Sequence, residues 1–355
     1  MFTGLVLILL SVRFMFTNAV SCLDDDGNPV EWFIGYKFPD GFEYAFLLPT
    51  VKSWRKSQYT IDKGGMMKNT YDAMYALSGK ANSFYGMYND EWPVLRSDHY
   101  WWGHMKGAFA FDLSHDGLWI IHSIPKLSEV NGSYQYPHTG RVYGQHLFCV
   151  SLPASSIPSL VNQLAVSRPL IQDSYIDPKL VADYESLVSL FNHKRVTETV
   201  QAVADFDSVQ GGLTMKHFSK ASDYGKDLYA SLVAPALGLG LSVETWQHGD
   251  KEPSVCNLTT PMVFNVQHLI FRELNLNFST YYDHSKWAVT LQPTRLTKST
   301  EMWLCLGDIN RQYSQMRRGG GTMCIQNTGL WEAFDSLITR VEPCAVVCTT
   351  PSNHA

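Results

Sequence analysis

The sequence predicts a mixed α/β fold of the α+β kind, made of two halves in which a mixed β-sheet is flanked by helices. Three observations predict it. Short segments rich in aromatic and β-branched residues recur between Gly, Pro, Asp and Asn, the pattern of strands and turns. Helix-like patterns are interspersed with them, chiefly after residue 176, and such mixtures pack as layers of helix on sheet. A His-x-Lys sequence also opens an apolar strand twice, at His104-Met105-Lys106 and His284-Ser285-Lys286, about half the chain apart. Each is followed by a break and a second strand ending in polar residues, Ile121-His122-Ser123 and Gly307-Asp308-Ile309-Asn310, which is the mark of an internal repeat.

In chain order, residues 1–21 come first. They are mostly apolar and end in Ala19-Val20-Ser21 before Cys22. A short apolar run followed by small-x-small reads as a secretory signal peptide, although no Lys or Arg precedes it and Arg13 interrupts it. Strands are expected over 32–37, 42–48, 107–113, 118–123 and 145–150. Asp116-Gly117 supplies the positive-φ positions of a hairpin between the third and fourth. Residues 151–180 hold Pro153, Pro158, Pro169 and Pro178, and the division between the halves is placed there, as 22–165 and 166–355. Asp177-Pro178 looks like a cap with proline at the first helical position, leading into a helix over 179–191. A second helix is expected over 222–234, strands over 240–247, 263–271, 286–291 and 302–306, and a final helix over 330–340.

Composition narrows the classes. The chain has 355 residues, 45% hydrophobic and 17% charged, too apolar for disorder and too evenly mixed for a fibre. After the leader, no run approaches the ~18 apolar residues of a spanning helix, so no membrane is expected as a partner. Lys plus Arg number 28 against 33 Asp plus Glu, giving −5 with neutral histidine, but there are twelve histidines. The net sign therefore reverses in acid, which argues against gripping a polyanion at neutral pH and not at about pH 5. Seven cysteines without CxxC pairs do not look like a zinc site, and an odd number leaves at least one over. Sequons at Asn131, Asn257 and Asn277 agree with secretion.

The chemistry rests on His-x-Lys. Side chains alternate along a strand, so His104 and Lys106 share one face and Met105 takes the other; the same holds for His284, Lys286 and Ser285. An imidazole is thus set beside an ammonium, twice. Phosphoryl transfer wants this set: one neutral imidazole attacks phosphorus, a protonated one donates to the leaving oxygen, and the ammonium groups stabilise the non-bridging oxygens. A metal-dependent nuclease would call for clustered Asp and Glu, and none accompanies these histidines, so neither metal nor other cofactor is expected.

Over about residues 22–345 the chain resembles the deoxyribonuclease II family, acid endonucleases of lysosomes and animal secretions within the phospholipase D-like fold group. The resemblance is carried by CLDDDGNPVEWF at 22–33, GHMKG at 103–107, LWIIHS and PK within 118–126, YGQHLFCVS at 143–151, DLYASLVAP at 227–235, DHSKWAV at 283–289, and CLGDINR with RGGGTMC within 305–324. It implies two phospholipase D-like halves related by a pseudo-two-fold axis. It also implies metal-free endonucleolytic cleavage of double-stranded DNA in acid, with little sequence preference and with 3′-phosphate and 5′-hydroxyl ends. Carried over, the site is His104, Lys106, His284 and Lys286, with His122 near the phosphate and Asp308 and Asn310 as supporting partners. His104 is taken as nucleophile and His284 as leaving-group acid, an assignment the sequence leaves open, as it does association into a homodimer. The resemblance further implies disulfides Cys22–Cys149, Cys305–Cys324, and Cys256 with Cys344 or Cys348, and a secreted or lysosomal destination.

Plainer readings compete. His122 lies in an apolar strand and could be a core histidine, and Asp308 and Asn310 could make turn hydrogen bonds. Arg317-Arg318 before three glycines reads as a solvated basic turn, and Trp101-Trp102 as core. His99, His115, His138, His146, His193, His217, His248 and His268 read as structural or surface residues. A catalytically inactive DNA- or partner-binding protein and a lipid phosphodiesterase are the rival functions.

Overall fold

Strands with apolar residues on both faces shape both halves. In a computed structural model describing residues 20–92, 101–127, 132–256, 259–292 and 301–344, the first half forms an eight-stranded sheet. Its spatial order is Ile171–Ile176, Ser83–Asn89, Lys106–Asp112, Asp116–His122, Gln145–Pro153, Trp32–Lys37, Glu43–Leu48 and Val51–Thr60, antiparallel throughout. The second sheet runs Gln201–Asp207, Thr214–Lys220, Gly320–Gln326, Trp303–Gly307, Trp287–Thr290, Leu241–Glu244, Val263–Phe271 and Leu276–Ser279. Its Leu241–Glu244 and Val263–Phe271 strands are parallel, and Ile338–Val341 pairs with the latter. The protein is a two-lobed α+β fold.

The inner faces of the two sheets share one core. Ile34, Phe109, Trp119 and Phe148 from the first lobe meet Trp287, Val289, Leu306 and Met323 from the second. The intervening residues point outward. Phe33, Ala108, Ile120 and Leu147 pack under the helix Met66–Tyr75, and Ala288 and Cys305 pack under the turn Tyr229–Val233. Central strands are thus buried on both faces, which is why they read as unbroken apolar runs. Gly107, directly after Lys106, sits where such packing leaves no room: a Cβ there would lie 2.2 Å from the Ile120 carbonyl oxygen and 2.5 Å from the Tyr88 hydroxyl. Gly107→Ala is expected to cost about 1–3 kcal/mol in urea unfolding; a midpoint equal to the parent's would show that the sheet accommodates the methyl group.

Several elements differ from the sequence reading. The proline-bearing stretch after 151 contains a helix, Ile157–Ser167, with Pro158 in its first turn, where its missing N–H is not needed. The strand Ile171–Ile176, beyond 165/166, is the edge of the first sheet. The helix expected over 179–191 is confined to Glu185–Phe191, after a short turn at Pro178–Leu180 capped by Asp177. That over 222–234 is broken into Ser222–Tyr224 and Tyr229–Val233, with Ala234–Leu237 following, and the last one ends at Asp335 before the strand Ile338–Val341.

Three disulfides close: Cys22–Cys149, Cys256–Cys344 and Cys305–Cys324. The first ties the amino-terminal strand Cys22–Leu23 to the first sheet, and the third joins neighbouring strands in register. Cys348 lies outside the described residues, as do the leader up to residue 19, Asn131 and Asn257; Asn277 is described and exposed. No helix among the described residues is long and apolar enough to cross a membrane.

Candidate active site at the lobe seam

Both His-x-Lys segments enter their strands at the seam between the lobes, and each is hydrogen-bonded to the opposite lobe. The His104 N–H donates to the Gly319 carbonyl at 2.8 Å, and the His284 N–H to the Gly144 carbonyl at 2.9 Å. Gly144 and Gly319 occupy matching places, each just ahead of a strand of its own sheet, Gln145–Pro153 or Gly320–Gln326. The Lys106 N–H reaches Asp308 Oδ1 at 3.4 Å, and the Lys286 N–H donates to His146 Nδ1 at 3.1 Å. The seam is therefore stitched reciprocally, as a pseudo-two-fold relation requires. The glycines permit the close approach: a Cβ on Gly319 would lie 2.1 Å from the Ser167 carbonyl oxygen, and one on Gly144 2.5 Å from Asp283 Oδ1. Met105 turns into the shared core, leaving His104 and Lys106 on the other face.

In the first couple, His104 Nδ1 lies 2.8 Å from the Asp308 carbonyl oxygen. A carbonyl only accepts, so Nδ1 carries the proton and Nε2 a lone pair. Burial, then Lys106, Arg318 and Lys286, hold the imidazole well below its usual range, with Asp90 opposing. The Lys106 ammonium is ion-paired with Asp90, which also accepts from Arg318 at 2.9 Å. Burial alone would raise the Asp90 carboxyl, but Lys106, His104 and Arg318 outweigh it and keep it well below the ordinary carboxylate range. Asp308 goes the other way: burial pushes it to about 8 despite the hydrogen bond from Lys106.

In the second couple, the His284 ring stacks on Tyr143 (centroids 4.3 Å apart, planes at 11°), and Trp246 lies 4.1 Å away at 53°. Its buried Nε2 has no hydrogen-bond partner among the described residues. Burial, followed by Lys286, Lys106 and His104, presses it down to about 2. Burial and Lys106 bring Lys286 to about 8, with Glu244, Asp283 and Asp90 resisting. Lys286 thus acts on His104, and Lys106 on His284, so the four groups share one electrostatic site.

The other expected residues are placed differently. His122 is buried in the first lobe with both ring nitrogens engaged: Nδ1 accepts from the Ile124 N–H and Nε2 faces the Tyr71 hydroxyl, each at 3.1 Å. Burial, then Lys106, lowers it to about 3, and it offers no free nitrogen to a substrate. Asn310 is buried on the loop after the Trp303–Gly307 strand, its Oδ1 without a hydrogen-bond partner among the described residues. Arg318 is not solvated but buried on Asp90, whereas Arg317 is exposed; Trp101 is 78% exposed rather than core. Asp90, Tyr143, His146, Trp246, Glu244 and the two seam glycines were not singled out by the sequence. The Tyr-Gly-Gln-His run and the triple glycine held part of that signal, while Asp90, Trp246 and Glu244 had none. Cavities of about 480 and 590 Å³ lie elsewhere, beside Trp54 and beside Glu185.

Comparison with known proteins gives one answer. The model of the family Deoxyribonuclease II matches residues 21–344. Plancitoxin-1 of Acanthaster planci is 34% identical over 97% of this chain and 98% of its own length. Deoxyribonuclease-2-alpha of Rattus norvegicus is 31% identical over 95% and 98%, and cell-death-related nuclease 7 of Caenorhabditis elegans 31% over 95% and 92%. With a family match over nearly the whole chain and relatives aligned almost end to end, the chain belongs to the deoxyribonuclease II family.

Proposed function

We propose that the protein is an acid endodeoxyribonuclease that cleaves DNA through a phosphohistidine and leaves 3′-phosphate and 5′-hydroxyl ends. The observation that carries this reading is the reciprocal seam, which sets two imidazoles and two ammonium groups against one another. His104 Nε2, its lone pair fixed by the Nδ1–H bond to Asp308, attacks phosphorus. The P–O5′ bond breaks, and the leaving oxygen takes its proton from His284. Water then gives a proton back to His284 and attacks the phosphohistidine, releasing the 3′-phosphate and restoring His104. Lys106 and Lys286 neutralise the non-bridging oxygens, so the step calls for no divalent ion. Tyr143 and Trp246 flank His284 and favour its cationic form over the ring faces. Burial and the neighbouring ammonium groups lower both imidazoles; the anion of a bound diester opposes that shift, which supports an acid optimum. Contacts made to phosphate rather than to bases fit low sequence preference. The leader, the exposed Asn277 sequon and the disulfides support a secreted or lysosomal location.

The test is end-group analysis. Plasmid DNA should be nicked at about pH 5 in EDTA, and the new 3′ ends should prime a polymerase only after phosphatase treatment. Immediate priming, or cleavage that demands Mg²⁺, would overturn the mechanism.

A further inference from the structure

Behind the second couple lies a polar cluster that the mechanism above does not use. Ser285, between His284 and Lys286, points inward and touches three groups. Its hydroxyl is 2.7 Å from that of Tyr36 of the first lobe, 2.9 Å from Glu244 Oε2 and 2.9 Å from Asp283 Oδ2. Tyr36 also donates to Asp283. All four side chains are buried, and Glu244 Oε1 has no hydrogen-bond partner among the described residues.

Counting protons is decisive. Four oxygen–oxygen contacts need four protons, and the two hydroxyls supply two. With both carboxyls ionised, two contacts hold no proton, and lone pairs face each other in a buried site. The surrounding charges do not repair this. The Lys286 ammonium donates to the His284 carbonyl and the Lys37 ammonium to the Arg141 carbonyl. The Tyr229 hydroxyl, within electrostatic reach of Glu244, donates to the Ile309 carbonyl. The Trp287 indole N–H goes to Tyr36. A proton on Glu244 Oε2, donated to Ser285, removes one of the two protonless contacts and leaves a single one.

We propose that Glu244 holds a proton in the working enzyme and is the positioning residue that confines cleavage to acid. Losing that proton forces Ser285 away from Tyr36, and the segment from His284 to Lys286 moves off the first lobe with it. This rests on the function proposed above. The electrostatics agree: burial first, and Asp283 second, hold Glu244 well above the usual carboxyl range, and burial raises Asp283 as well. Because the folded state keeps the proton to higher pH than the unfolded chain, this stability is complete below the ordinary glutamate pKa. It is lost as pH rises towards the folded value.

Glu244→Gln supplies a permanent N–H donor to Ser285. The ratio of cleavage at about pH 7 to cleavage at about pH 5 should rise about tenfold or more, one pH unit of the alkaline limb being tenfold. The fall in Tm between those pH values should shrink. Asp283→Asn tests the same count from the other side, and should move both readouts in the same direction if Glu244→Gln does not fold. A folded variant with the parent's pH ratio and the parent's Tm slope would overturn the proposal. If the parent cleaves no DNA at any pH, the function above fails, while the Tm comparison still reports on the Glu244 proton.

Discussion

His104→Ala and His284→Ala should each lower DNA cleavage at about pH 5 by roughly 10³-fold or more, the scale expected when an acid–base or nucleophilic group is removed. Neither is expected to unfold the protein, because each backbone N–H bond across the seam survives truncation of the side chain. The double variant should be little worse than either single one, since groups acting as a unit are not additive. The two variants part on an activated substrate. A p-nitrophenyl phosphodiester carries a leaving group that needs no proton, so His284→Ala should recover most of its turnover on it, whereas His104→Ala should stay inactive. The reverse outcome would exchange the roles of nucleophile and acid. The proposed order rests on the Asp308 carbonyl, which fixes the His104 tautomer, and on Tyr143, which stacks on one face of His284 with Trp246 beside the ring.

Much of this site was legible from residues alone, and the limits have physical causes. Strand alternation placed His104 with Lys106 and His284 with Lys286 on common faces, and the repeat pointed to two related halves. What failed was what sequence distance hides. Asp90 and Arg318 meet as a buried pair although they are far apart in the chain, and nothing in Tyr-Asn-Asp-Glu or Arg-Arg-Gly-Gly announces the other. The helix Ile157–Ser167 does have apolar residues at helical spacing, but its prolines drew the reading towards a linker; a proline in the first turn starts a helix instead of ending it. His122 illustrates a different limit. A histidine on an apolar strand next to the site in sequence is here satisfied by Tyr71 and a backbone N–H, and only coordinates separate that from a phosphate ligand. His146, set among structural or surface residues by the sequence, is structural: buried, it receives the Lys286 N–H from the other lobe.

The largest effect on stability is expected at Arg311, a fully buried guanidinium that the site uses indirectly. Its Nε donates to Asp227 at 3.2 Å, one terminal nitrogen to Asn265 and the other to the Pro253 carbonyl at 3.1 Å, and Glu252 lies 3.8 Å away. Its own N–H donates to Thr245 at 3.1 Å. These bonds pin the loop that begins at Asp308, whose carbonyl orients His104. Arg311→Met fills similar space but leaves two buried carboxyls without their cation, and breaking a buried pair in this way costs about 3–5 kcal/mol. The cost should depend on pH with a definite sign. Burial, then Asp227, already raises Glu252 to about 7 while Arg311 pulls against them. Without Arg311, Glu252 takes up a proton more readily in the folded state. The variant's deficit should therefore be smallest in acid and grow as pH rises towards neutrality. Urea unfolding at about pH 5 and about pH 7.5 measures it directly. Arg311→Lys keeps the charge but not the three-way fork, and should fall between parent and Arg311→Met. An equal deficit at both pH values would mean that Arg311 acts by packing and hydrogen-bond geometry, with no net charge compensation of Asp227 and Glu252.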